Sequence, residues 1–247
     1  MSTDTTFEAA DGQTVSISPR GVAKALVLLI GGLIVIQSGL LTLVWGFGKT
    51  YVFGLVDMFD FGGEDNVTAY VQSLLLLSCS MVLALTASLS RPALKDCLPW
   101  GVLSGVFLFL AVDEATMIHE FVSAPMREMF HASWLPQLAW VVPYFGGLVV
   151  LAVMLLPWFL RLDRPSQIRF ALAGFLYVLG AVGFELLESK QVEGILAAQP
   201  DLDLATLQNR TVDFIILFEE SLEMIGSGLF LYALVERLGA LSIRTQH

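Results

Sequence analysis

Charge is what this sequence has least of. Only 15% of its 247 residues are Asp, Glu, Lys or Arg, against 56% hydrophobic, and the mean hydropathy is +0.75. Soluble domains carry about a quarter charged residues, so the deficit argues against one and for segments solvated by lipid. Positive charge is scarcer still. The 13 Lys and Arg face 23 Asp and Glu, a formal net charge of −10, which excludes nucleic acid as a partner because that needs a basic face. Cys79 lies inside an apolar run and Cys97 just before another, so no disulfide framework is expected. With three histidines, one of them the terminal His247, a zinc hydrolase is poorly supplied with ligands. No glycine-rich phosphate loop occurs, and no apolar run holds a deep lysine for a retinal-type Schiff base.

What is present is a series of six apolar runs: Val22 to Phe47, Tyr70 to Ser90, Leu98 to Val122, Leu138 to Leu160, Ile168 to Ser189 and Thr211 to Arg237. Each meets the roughly 20 residues needed to cross about 30 Å of hydrocarbon. The first far exceeds the roughly 7–15 residues of a signal-peptide core, so it reads as a retained helix. The expected fold is all-α: a polytopic bundle of six transmembrane helices over residues 21–238. A polar tail (1–20) precedes it and a second tail (239–247) follows. Connections 48–69 and 190–210 are expected on the outer side, the second with a short surface helix and the first ending in a Gly62-Gly63 turn.

Orientation follows from the basic residues. Arg20, Lys24, Arg91, Lys95, Arg161, Arg164, Arg169, Arg237 and Arg244 fall on one side of this topology, and only Lys49, Arg127, Lys190 and Arg210 on the other. By the positive-inside rule both termini are cytoplasmic. The expected location is therefore an inner, cytoplasmic-type membrane, with the lipid bilayer as the obligatory partner. Trp45, Trp100, Trp140 and Trp158 near run ends suit headgroup anchors, and Gly101-x-x-x-Gly105 suits a helix-packing notch.

The anomaly is acid inside the apolar runs. The third carries Asp113, Glu114, His119 and Glu120, the fifth ends with Glu185 and Glu188, and the sixth carries Glu219, Glu220 and Glu223. A charge at a helix centre costs about 2.5–3.5 kcal/mol on insertion scales, and no Lys or Arg lies at the same depth. All three clusters fall between the midplane and the outer surface at a rise of about 1.5 Å per residue, so they can meet. Spacings of three and four residues (Glu185/Glu188, Glu220/Glu223, Glu219/Glu223) put each pair on one helix face. Carboxylate-rich sites with one or two His, supplied by pairs so spaced on facing helices, are how bundles hold iron or manganese. Such sites use two Glu-x-x-His pairs, whereas here the three runs supply one His, His119, and Thr116 takes the acid's position.

These residues lead to a cation site as the first expectation: a divalent ion (iron, manganese, magnesium, calcium or zinc) held by Asp113, Glu114, His119, Glu120, Glu185, Glu188, Glu219, Glu220 and Glu223 in a membrane metalloenzyme, acting on a small molecule or an ion. A cation or proton transporter is the alternative. The acidic pairs Asp113-Glu114 and Glu219-Glu220 would echo one another in a three-plus-three inverted repeat. A polar network that locks a subunit into a larger complex is the third reading.

Overall fold

Helices begin and end where the local chemistry allows. In the computed structural model, which describes residues 5–8, 14–63, 65–90, 94–130, 139–199 and 208–239, α1 (Pro19–Phe47) opens on a proline whose missing N–H costs nothing at a first turn and closes on Gly48 at φ 64°. A five-residue helix α2 (Leu55–Phe59) follows, then the Gly62-Gly63 turn. The Asn66 side chain accepts from the backbone N–H of Thr68 (2.9 Å) and Ala69 (3.2 Å), capping α3 (Val67–Leu89). A side chain at Gly63 would collide with Asn66 Nδ2, 2.6 Å from an added Cβ.

Next come α4 (Leu94–Thr116), α5 (Ile118–Phe130) and α6 (Val141–Phe159). Then α7 (Arg164–Val178) passes through a π-helical turn (Leu179–Phe184) into α8 (Glu185–Ala198), and α9 (Arg210–Gly239) completes the chain. Five helical stretches are long and apolar enough to cross a membrane: Pro19–Phe47, Val67–Leu89, Leu94–Thr116, Val141–Phe159 and Arg164–Ala198. Exposed Val27, Leu28, Val35, Met81, Val153 and Met154 cover their outer faces, an apolar belt suited to lipid rather than water. This is the build of a multi-pass membrane protein.

Within residues 1–20, Thr5–Glu8 pairs antiparallel with Thr14–Ile17 in a short hairpin. Two expectations are corrected. The third apolar run is not one helix: the chain breaks at Met117, φ 56°, between α4 and α5. The fifth run does not stop at Ser189, because α8 carries the helix on to Ala198, well into the expected 190–210 connection. The remainder of that connection, residues 200–207, and the tail from 240 onward lie outside the described residues.

The centre of the bundle is α9. It packs against α1, α3, α7, the π-helical turn and α8, and buries Val212, Leu217, Met224, Phe230, Leu231 and Leu234. Its small residues let neighbours close in. A Cβ on Gly226 would stand 2.7 Å from the Tyr177 backbone nitrogen, and one on Gly180 would stand 2.7 Å from the Glu219 carbonyl oxygen. Such contacts are open only to glycine. Because Gly180 faces Glu219 while Arg169 meets Glu236, α7 and α9 run antiparallel. On the other flank α4 is clasped to α3: Ser80 Oγ donates to the Ser104 carbonyl (2.8 Å), Ser104 Oγ to the Ser80 carbonyl (2.9 Å) and Ser73 Oγ to the Ala111 carbonyl (2.7 Å).

Candidate metal centre

The antiparallel packing of α7 through α8 on α9 brings glutamates from both strands of the chain together. Oxygens of Glu185, Glu188 and Glu219 all lie within 4.8 Å of one another, and so do oxygens of Glu219, Glu220 and Glu223. Glu219 thus belongs to both groups and joins them into one pocket of five carboxylates. Glu219 and Glu223 are buried, at 6% and 7% exposure, and the other three are half-buried. Glu114 comes from α4, within electrostatic range of Glu220 and Glu223.

Neutral groups complete the wall. The side chains of Tyr177 of α7 and Gln72 of α3 lie beside Glu223. Gln72 Nε2 donates to Ser227 Oγ at 3.3 Å, while the Cys79 thiol points at the Ser227 carbonyl. Among the described residues, two buried oxygens, Gln72 Oε1 and Glu219 Oε2, have no hydrogen-bond partner. Buried polar atoms are nearly always satisfied, and both of these are acceptors set beside further acceptors.

Asp113 and His119 form a separate constellation at the helix break. The Asp113 carboxylate accepts from the His119 backbone N–H (2.8 Å) and from the Tyr144 hydroxyl (3.0 Å), and its Oδ2 lies 3.4 Å from His119 Nδ1. It therefore caps α5, whose first backbone donors Met117 has turned out of register. The His119 ring meets Trp140 at 5.3 Å between centroids, and Trp140 meets Tyr144 edge-on at 5.1 Å. Of the nine residues expected to share one site, five form the pocket, Glu114 borders it, Asp113 and His119 stand together beside α6, and the Glu120 side chain lies outside the described residues.

A third acidic group occupies one end of α9. Trp45 Nε1 donates to Asp213 Oδ2 at 2.7 Å, and Gln37 Nε2 approaches Asp60 Oδ1 at 3.4 Å. Asp60 sits in the turn before α3; desolvation by its surroundings outweighs the hydrogen bonds from Gly62 and Gln37 and raises its carboxyl above the ordinary range. At the opposite end Arg237 binds Asp163 (2.6 Å) and Arg169 binds Glu236. There partial burial pushes Asp163 up, but hydrogen bonds from Ser166 and Arg237 prevail and hold it below the usual carboxylate range.

Gln72, Tyr177, Ser227, Trp45 and Gln37 were not expected at the site. A lone amide in an apolar run was the one available signal for Gln37 and Gln72, since burying an unpaired amide costs several kcal/mol. Residues 25–238 match the model of a family described as a domain of unknown function (DUF8692). No curated protein and no solved structure matches the chain.

Proposed function

The chain belongs to that family, and we propose that it is a six-span membrane protein whose glutamate pocket holds a divalent metal ion. The observation that carries this reading is the pair of buried, partnerless acceptors, Gln72 Oε1 and Glu219 Oε2, among five carboxylates. Two full charges about 5 Å apart repel by about 3 kcal/mol at an effective dielectric of about 20. The ion pairs of His119 with Asp113, Arg169 with Glu236 and Arg237 with Asp163 lie elsewhere. A cation supplies what is missing, and oxygen-only ligands of this kind suit magnesium, calcium, manganese or iron. Zinc fits less well, because among the described residues the metal-sized groups are all carboxylates.

The sixth span is α9. Its 30 residues reach about 45 Å, and its neighbours, rather than lipid, surround its acids. The basic residues gather at the Arg237 end, which supports a cytoplasmic side for that end and both termini and a pocket nearer the outer surface.

A resident metal is favoured over a conduit because no further acid of α9 follows Glu223 until Glu236, which is paired with Arg169 at the far end. Beyond Glu223 α9 continues with buried Met224, Phe230, Leu231 and Leu234, an unfavourable path for an ion. The protein is accordingly a metalloenzyme first and a transporter second. An iron or manganese ion would supply oxidation chemistry there. Tyr177 and Gln72 would orient Glu223, and Glu188, on the side nearer Asp213, is placed to move a proton. Elemental analysis of detergent-purified protein tests the reading. Wild type should carry stoichiometric metal and Glu223→Gln should carry none. Equal metal in both, or none in either, would end it.

A further inference from the structure

Along α9 and the turn packed on its first turns, acids continue from the pocket, and their exposure rises toward Asp60. Glu223 and Glu219 are buried, Glu185, Glu188 and Asp213 are half-buried, and Asp60 is exposed. Oxygens of Glu219 and Glu188 lie within 4.8 Å of one another, Glu188 is in electrostatic range of Asp213, and Asp213 of Asp60. The last link depends on how the turn before α3 is seated. Phe61 is buried, and Gly62 lies so close to Ile216 of α9 that an added Cβ would stand 3.0 Å from its side chain. The turn thereby holds Asp60 over the first turns of α9, where Trp45 fixes Asp213 by a 2.7 Å hydrogen bond. Along α9, Asp213 to Glu223 is about 15 Å, a depth that an isolated buried pocket would leave without polar access.

Resting on the metal reading above, we infer that the divalent cation enters from the Asp60 end, along an acidic column running through Asp213 and Glu188 to Glu219. Asp60 and Asp213 are positioning groups for the incoming ion, and the resident ligands are the glutamates. The pocket's own partnerless oxygens, Gln72 Oε1 and Glu219 Oε2, are the destination. A row of like charge in low-dielectric walls raises the local counter-ion concentration and the rate of entry, while the resting affinity belongs to the ligands at the end of the row.

The test is the rate of Mn²⁺ uptake by chelator-stripped, detergent-purified full-length protein, followed by loss of the free-ion EPR signal. Asp213→Asn and Asp60→Asn should each slow loading, by about tenfold for Asp213→Asn, and reach the wild-type final stoichiometry. Asp96→Asn, in the first turn of α4 at the other end of that helix, should load at the wild-type rate. Wild-type rates in both column variants alongside lost binding in Glu223→Gln would overturn the column and leave the pocket standing. A reduced final stoichiometry in Asp213→Asn would also overturn it, by making Asp213 a ligand. No Mn²⁺ uptake by wild type would remove the pocket and the column together.

Discussion

Two parts of α9 use carboxylates in opposite ways. Near its C-terminal end Glu236 is matched to Arg169, while Arg237 is matched to Asp163 and lies over the Trp100 ring at 5.3 Å. About four turns earlier, Glu219, Glu220 and Glu223 face one another and two more glutamates. The first region is electrically complete within the chain, and its partners are one-third to one-half exposed. Such pairs are worth at most about 1 kcal/mol and chiefly fix how α7 lies on α9. The second region gathers like groups and holds two buried oxygens, Gln72 Oε1 and Glu219 Oε2, with no hydrogen-bond partner among the described residues. The difference teaches where to look for function: buried acceptors that the fold leaves unsatisfied need something from outside it.

The contrast can be broken in three ways. The largest effect is expected from the ion itself. Free Mn²⁺ at about a hundred times its dissociation constant should stabilise stripped wild-type protein by about 2.7 kcal/mol. It should do so equally in Asp163→Asn, whose damage lies at the paired end. Thermal unfolding with and without Mn²⁺ measures this, and an absent shift would erase the distinction between the two regions. A smaller effect, opposite in sign at the two sites, comes next. In metal-free protein Glu219→Gln should raise the unfolding temperature, by about 1 kcal/mol equivalent, because one repelling charge is gone. Glu236→Gln should lower it, by about 0.5 kcal/mol. The same sign at both sites would contradict the comparison.

The smallest effect is a pH dependence confined to the paired end. Asp163 titrates below its ordinary range when folded, so the unfolded chain binds its proton first. Its stabilisation is present above the unfolded value, near 4, and fades as pH falls through the folded value. Wild type should lose its advantage over Asp163→Asn in acid melts below about pH 4. An advantage that persists unchanged there would remove the Arg237 partnership as its source.

Much of this was legible in the residues. Helices long and apolar enough to cross a membrane fall on five of the six apolar runs, with shifted bounds. Period-3 and period-4 spacing put Glu219, Glu220 and Glu223 on one side of their helix, where they indeed meet. The break at Met117 was not legible, because a left-handed residue is announced by glycine or asparagine and methionine gives no such signal. Hidden by the same limit was the division of the nine expected residues: Asp113 turns to cap the helix that follows the break, which nothing in its spacing foretells. The sixth run, which holds the most acid and looked least suited to lipid, proved to be the central helix.

By itself the chain's order of residues determined that helices would form, roughly where, and that acids would be trapped within them, since those depend on local hydropathy and a rise along one axis. Which acids share a pocket, and which find a guanidinium, was decided only by tertiary packing. Gly180 and Gly226 let α9 approach the π-helical turn and α7 to backbone contact, and that approach sets the register of one helix on the other. Register is a property of two surfaces in contact, and a single strand of sequence carries no measure of the distance between them.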